Sequence, residues 1–183
     1  MKKSMISMAA VLFAALMTTT VLTSCSSSND DVDEPKKAEL TKAIVKYTVE
    51  SNSATLGLFK VKVYGTDADG NGFVETMSNP TYIKTVEIPV SKLPCTVELY
   101  TKVSPLEGKT ATEKFDFHVK WILDVMTVNS DDTVVDDNVR VNTLGRLNVG
   151  AETSLSELAE TMNDYTKLVI YVGANGKVTA KTQ

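Results

Sequence analysis

Apolar and polar residues alternate along most of the chain from Leu40 onward, which is the spacing of half-buried β-strands. The first alternating segment is residues 43–50, and four of its residues share one face: Ala43, Val45, Tyr47 and Val49. The same alternation predicts further strands at residues 59–64, 73–77, 82–90, 95–103, 112–128, 138–149, 168–172 and 177–180.

Several features interrupt or bound this alternation. Pro89 indicates an edge strand or a bulge, because proline cannot donate a ladder hydrogen bond. The alternation breaks after Trp121, at residues 122–123, which predicts a bulge or a bend between sheets. Residues 129–138 are expected to form an acidic loop, and a break is expected near Gly145.

One segment has the pattern of a helix. Ser154 and Glu157 fit a capping box, in which a serine and a glutamate three residues apart satisfy the first free amides of a helix. An apolar stripe follows at Leu155, Leu158, Ala159 and Met162. Together with the strands, this predicts an all-β, immunoglobulin-like antiparallel two-sheet sandwich with one short helix near the C-terminus.

The first residues have the layout of a bacterial export signal. Lys2 and Lys3 precede an apolar stretch at residues 6–16 that is too short to span a bilayer. Leu22-Thr23-Ser24-Cys25 then resembles the lipobox of bacterial lipoproteins, in which a peptidase cuts before the cysteine and the thiol carries a lipid. The resemblance implies a signal peptide at residues 1–24 and lipidation of Cys25. An ordinary secretory signal or an unprocessed anchor is the alternative.

Residues 25–38 are rich in serine and acidic residues and have little to bury, so they are expected to form a disordered tether. A single β-sandwich domain is expected at residues 39–183. The tether resembles the export signal of surface lipoproteins, and the chain as a whole resembles small outer-membrane lipoproteins of the Bacteroidetes. This resemblance implies a lipid-anchored protein of the outer membrane that faces the cell surface. A spacer on a periplasm-facing lipoprotein is the alternative.

Charge and cysteine content narrow the possible partners. The chain has 19 basic and 23 acidic residues and a net charge of −4, so nucleic acid is not expected as a partner. If Cys25 carries lipid, Cys95 has no partner for a disulfide within the chain. Cys95 is in phase with Val97 and Leu99, and we expect it to be buried and inert.

The sharpest local motif lies at residues 67–74. Asp67, Asp69 and Asn71 occupy alternate positions before a glycine, which resembles an EF-hand calcium loop, and Glu75 could complete the site. Position twelve is Ser78 rather than glutamate, and the flanks have strand patterns. A hairpin turn is therefore the favoured interpretation, and a weak calcium site is the second. No other cofactor is expected, and the aspartates of residues 131–138 are expected to be solvated.

Aromatic residues offer a different route to ligand binding. Tyr64 and Tyr100 lie in the polar phase of their strands and are candidates for a platform on which a sugar ring stacks; ordinary cross-strand packing is the alternative. Trp121 is in the apolar phase and is expected in the core. His118, the one histidine, is expected on the surface. Zinc and catalytic-triad motifs lack their residues, so catalysis is not expected.

The sequence thus predicts a membrane-anchored, non-catalytic surface lipoprotein that binds a glycan or a protein. The alternative is a structural or assembly component of an envelope complex or fimbria, which an exposed long edge strand would favour because it can accept a donor strand. An enzyme ranks third and would need a cleft lined by paired carboxylates.

Overall fold

Two antiparallel sheets form from the alternating segments. The computed structural model describes residues 38–163 and 167–181, so the expected signal peptide, Cys25 and nearly all of the expected tether lie outside the described residues. The strands are β1 (Leu40–Ser51), β2 (Phe59–Thr66), β3 (Gly72–Thr76), β4 (Thr81–Pro89), β5 (Cys95–Pro105), β6 (Phe115–Asn129), β7 (Val134–Val149), β8 (Leu168–Val172) and β9 (Val178–Ala180). The helices are α1 (Ser53–Leu58) and α2 (Leu155–Asn163).

The strands divide between a four-stranded sheet, in the order β4-β1-β6-β7, and a five-stranded sheet, in the order β3-β2-β5-β8-β9. The pairings within both sheets are antiparallel. Along the chain, β1 and β4 lie in one sheet while β2, β3 and β5 lie in the other. The all-β two-sheet sandwich expected from the sequence is confirmed.

The core lies between the sheets because one phase of each strand is apolar. All four inward residues of β1 predicted from the alternation are fully buried, and β6 contributes a matching row: Phe117, Val119, Trp121, Leu123 and Val125. In residues 38–163 and 167–181, every buried side-chain nitrogen or oxygen has a hydrogen-bond partner. None of the helices in this described part is long and apolar enough to cross a membrane.

Tyr47 and Trp121 make side-chain hydrogen bonds that cross the core from one sheet to the other. The Tyr47 hydroxyl donates to the Thr66 carbonyl at 2.7 Å and accepts from the Thr66 amide at 3.2 Å. Trp121 Nε1 donates to Thr101 Oγ1 at 3.1 Å. Burial raises the pKa of Tyr47, so its hydroxyl stays neutral and able to donate. Trp121 is a core residue, as its phase predicts.

The helix near the C-terminus is confirmed, and a second helix is new. In α2 the four residues of the apolar stripe are buried, and Ser154 Oγ accepts from the Glu157 amide at 3.4 Å. The sequence analysis missed α1, which begins where Asn52 Oδ1 accepts from the Thr55 amide at 2.7 Å. Six residues are too few to show a helical period, so only this cap could have indicated α1.

The expected bulge at residues 122–123 is wrong. β6 keeps its register there, and its irregularities lie near its ends, between Phe115 and Phe117 and between Thr127 and Val128. Ile122 lies on the outer face and is half-buried, whereas Leu123 is fully buried. Two apolar neighbours therefore point to opposite faces of an unbroken strand.

The expectations around β7 are also corrected. The strand begins at Val134, so the acidic loop is shorter than expected, and β7 continues through Gly145 without a break. Asp136 and Asp137 are strand residues and point to opposite faces. Pro89 ends β4, which is an edge strand, as its proline predicts.

We expect Tyr47→Phe to destabilise the fold by about 1–3 kcal/mol, because it leaves the buried amide of Thr66 without its partner. Urea unfolding of the wild type and the variant measures the difference. Tyr64→Phe removes a hydroxyl from the outer face of the other sheet and serves as the control, with a change within about 0.5 kcal/mol. An unfolding free energy for Tyr47→Phe equal to that of the control would contradict the role given to this bond.

Candidate functional site

Two tyrosines stack on the outer face of the five-stranded sheet. Tyr64 on β2 and Tyr100 on β5 are directly opposite each other in the register of the two strands. Their ring centroids are 4.7 Å apart and their planes differ by 9°, which is a parallel stack. Both side chains remain half-buried on this face. Each ring restricts the other, so the pair forms a rigid aromatic ledge.

A cavity of about 270 Å³ opens beside this ledge. Its lining includes both tyrosines, Glu98 of β5 and the glycine-rich turn between β2 and β3. Gly72 lies opposite Thr66 in the strand register, and neither Gly70 nor Gly72 has a side chain to fill the space. The structure therefore brings together two features that the sequence analysis treated separately, the tyrosine platform and the turn at residues 67–72.

The turn is held by the carboxylate of Asp67. Asp67 Oδ1 accepts from the amides of Asp69 at 2.9 Å and Asn71 at 2.8 Å, and the Asp67 amide donates to the Asn71 carbonyl at 2.7 Å. Gly70 has a φ of +84°, a conformation that glycine adopts without strain. These contacts match the hairpin-turn interpretation of the motif.

Glu75 does not lie with the other three candidate calcium ligands. Its carboxylate accepts from the Tyr82 hydroxyl at 3.1 Å and from Lys84 Nζ, both on β4 of the other sheet. Asp69 lies instead near Lys92, with 3.5 Å between its carboxylate and the ammonium. In the described ranges 38–163 and 167–181, no three His, Cys, Asp or Glu side chains group closely enough to hold a metal ion. The calcium site stays a prediction that this geometry does not favour.

The contacts of Glu75 close the side of the sandwich where the edge strands β3 and β4 meet. The hydrogen bond from Lys84 is the main cause that lowers the pKa of Glu75, and the Tyr82 hydroxyl adds to it. Burial, followed by the charge of Glu75, raises the pKa of Tyr82. The Lys84 ammonium also lies 4.3 Å from the centre of the Phe73 ring, a cation–π contact.

Sequence reasoning missed two residues that support the cavity. A Cβ atom at Gly65 would collide with the Phe73 ring, so only glycine lets this ring reach the core. There Phe73 meets Tyr47 edge to face, with 5.3 Å between ring centroids. Phe73 thereby fixes β3, the strand that carries Gly72, onto the core. The signal in the sequence was a glycine one residue before the end of an otherwise regular strand.

Lysines surround the tyrosines on the same face. Lys102 lies 5.8 Å from the centre of the Tyr64 ring, and Lys167 lies 5.4 Å from that of Tyr100. The lysines of this face are Lys60, Lys62, Lys102, Lys167 and Lys181. Among the outward positions of the described strands of this sheet the acid is Glu98, and it pairs with Lys167. We call this surface, the stacked tyrosines Tyr64 and Tyr100 with these five lysines, the tyrosine–lysine face.

The remaining candidates lie elsewhere. Cys95 is half-buried at the start of β5, and burial raises the pKa of its thiol, which disfavours the reactive thiolate. His118 lies on the outer face of the four-stranded sheet, half-buried rather than exposed as expected. Asp131 accepts from the amide of Thr133 at 3.1 Å, whereas Asp136 accepts from the amide of Val178 at 2.8 Å. The aspartates of residues 131–138 thus serve separate turns and strands.

Glu75→Gln is expected to lose stability at neutral pH but not in acid. Because the folded pKa of Glu75 lies below its usual 4.5, its contribution is present above that value and disappears as the pH falls through the folded pKa. For a partly exposed ion pair we expect up to about 1 kcal/mol at pH 7. Denaturant unfolding at pH 7 and pH 3 measures it, with Glu113→Gln in the exposed loop before β6 as control. A deficit of equal size at both pH values would contradict the ion pair.

No family model, curated protein or solved structure matches this chain. The site is therefore defined by its own geometry: a stacked tyrosine pair, a cavity of about 270 Å³ beside it and a frame of lysines.

Proposed function

We propose that this chain is a lipid-anchored, non-catalytic surface protein that binds an acidic polysaccharide on the tyrosine–lysine face. The observation that carries the proposal is the cavity beside the stacked pair Tyr64–Tyr100. It combines an aromatic wall with polar residues in the same lining, the combination that sites for small ligands use to fix orientation.

A sugar ring fits this combination because it has an apolar face of C–H groups and a rim of hydroxyls. The tyrosine ledge supplies the aromatic surface, while Asn71 and Glu98 supply polar groups along the lining. The volume of about 270 Å³ lies just below the range of about 300–1,000 Å³ for drug-sized ligands, which suits one sugar unit at a time. The flat sheet on either side leaves room for the neighbouring units of a chain.

The charge of the face favours an acidic chain over a neutral one. The whole protein carries a net charge of −4, yet the outward positions of the strands on this face have three lysines and one glutamate, and Lys167 and Lys181 directly flank β8 and β9. Lys102 and Lys167 flank the stacked pair from its two sides. Uronate or sulfate groups on units next to the bound one would therefore meet ammonium groups, which raises association rate and selectivity.

The anchor belongs to the same proposal and rests on the lipobox resemblance at residues 22–25. A lipid on Cys25 and an acidic tether would hold the domain at the outer membrane, on the side of the medium. Acyl chains contribute about 0.8 kcal/mol per buried methylene, so more than one chain gives stable anchoring.

A structural or assembly role in an envelope complex or fimbria is the second candidate function. The observation that favours it is β7, a strand of 16 residues at the edge of the four-stranded sheet. An open edge of this length can pair with an extended segment of another chain.

We expect Tyr64→Ala and Tyr100→Ala each to weaken binding to immobilised polygalacturonate about tenfold, or about 1.4 kcal/mol, in line with aromatic contacts. Tyr171→Ala is the matched control, because Tyr171 lies on the same face outside the cavity, and it should bind within about twofold of the wild type. Surface plasmon resonance at 50 and 300 mM NaCl should show weaker binding at high salt.

Neutral amylose is the second probe in this experiment. Binding of amylose as tight as that of polygalacturonate would contradict the acidic specificity while keeping the tyrosine site. Binding that all three tyrosine variants leave unchanged would contradict the site itself.

Cys25→Ser is expected to abolish incorporation of radiolabelled palmitate and to release the protein from the membrane fraction. Protease shaving of intact cells should remove a C-terminal epitope from the wild type while a periplasmic control protein survives. Survival of the epitope until the outer membrane is opened would contradict the surface location and leave the lipidation result to stand alone.

A further inference from the structure

Strand β7 has exposed apolar residues along an open edge. Within the described residues it has a neighbour on one side only, β6. Five of the eight large hydrophobic residues that are exposed in this part of the chain lie on β7: Val134, Val135, Val139, Val141 and Leu147. Long, apolar edge strands are unusual in monomeric proteins because they template pairing with other chains.

The backbone of β7 offers hydrogen-bonding groups at this edge. The amides of Asp137 and Thr143 donate to the side-chain oxygens of Asp136 and Asn142, at 3.0 and 2.9 Å, as amides that face away from β6 would. Val139 and Val141 lie between these residues and have the same phase in the strand, so their amides point to the same open edge. The centre of the edge is thus available to a strand.

Acidic residues lie near the start of β7, and basic residues lie further along it. Asp136 and Asp137 lie near the start of the strand, and the two arginines of the chain, Arg140 and Arg146, both lie further along it. A strand with this polarity complements an antiparallel copy of itself. A two-fold axis at Val141 places Asp136 opposite Arg146 twice, once on each side of the axis.

The same register matches the apolar residues. Val141 meets its own copy at the axis, and Val135 meets Leu147, which is 74% exposed in the single chain. Val139 meets Thr143, both on the outer face. Asp136, Arg146 and their copies all lie in the phase that faces inward, since they pair with the inward residues Thr127 and Phe117 of β6. No like charges oppose each other in this register, which would otherwise destabilise the pair.

We propose that β7 is a self-association edge, at which two copies of this chain pair antiparallel about a two-fold axis at Val141. The two four-stranded sheets then form one continuous sheet of eight strands. A row of side chains on its outer face, the apolar residues Ile83, Ile122 and Val141 with Thr48 in each copy, becomes continuous across the axis. A two-fold interface of this kind closes on itself and leaves no further edge of β7 for growth.

The register can be tested by oxidative cross-linking of the full chain in a Cys95→Ser background. In a hydrogen-bonded antiparallel pair, opposite Cα atoms are about 5.5 Å apart, within the range of a disulfide. Val141→Cys should therefore give a covalent dimer on a non-reducing gel. Thr143→Cys is the matched control on the same face, because its two copies would lie about 14 Å apart along the strands and cannot be bridged.

The charge match is tested by sedimentation of the full chain in detergent. Arg146→Glu puts two carboxylates opposite each other at two places and should raise the dimer dissociation constant at least about tenfold. Arg140→Glu makes the same change in net charge at a position opposite Asn142 and should alter the constant less than about threefold. Circular dichroism confirms that both variants are folded.

Three results would overturn the proposal. One is a wild-type chain that sediments as a monomer at 100 µM. Another is cross-linking of Thr143→Cys as readily as of Val141→Cys, which would indicate random collision. The third is equal dissociation constants for Arg140→Glu and Arg146→Glu. Capture of an extended segment of another protein by a monomeric chain would assign the edge to an assembly partner instead of a second copy.

Discussion

The bond between Tyr47 and the backbone of Thr66 is the contact on which the candidate site depends. It joins the centre of the four-stranded sheet to the end of β2, where the hairpin to β3 begins. Phe73 then packs on the ring of Tyr47 through the space that Gly65 leaves open. β3 carries Gly72, which lines the cavity. The position of this part of the lining therefore depends on the Tyr47 hydroxyl, which comes from the opposite sheet. Burial, which keeps this hydroxyl neutral, also makes the bond worth more than it would be in water.

The distribution of charge divides the surface of the molecule into regions of different character. The tyrosine–lysine face is basic in an acidic protein, while β7, in the other sheet, carries both signs along a single strand. A second copy joined at β7 would leave both tyrosine–lysine faces uncovered, because they belong to the outer side of the five-stranded sheet. Two sites held at a fixed separation bind a repeating polymer more tightly than either site alone, without any additional contact.

Period-two alternation was enough to predict most strands, the two-sheet class and the exposed phase of Tyr64 and Tyr100, since each depends only on local sequence. Alternation carries no information about which strands become neighbours. The stacking of the two tyrosines, and their meeting with the turn at residues 67–72, therefore could not be predicted. The contacts of Glu75, a candidate calcium ligand beside Asp67, could not be predicted for a related reason: on the edge strand β3 its phase points toward β4, where Lys84 and Tyr82 bind it. The length of β7 was underestimated because most of its outward residues are apolar and most of its inward residues are polar, the reverse of the usual pattern.

The glycine at position 72 affects how the cavity can change during evolution. A Cβ atom there would meet nothing closer than the Gly65 carbonyl oxygen at 3.9 Å, and the position has no positive φ, so the fold itself does not require glycine. The cavity exists because this position and Gly70 are empty, whereas the core that supports it lies behind the sheet. Substitutions at residue 72 could thus close or reshape the cavity in a single step without a loss of stability. Selection for ligand binding and selection for a stable fold therefore act on different residues here. Ligand preference can change while the fold is retained.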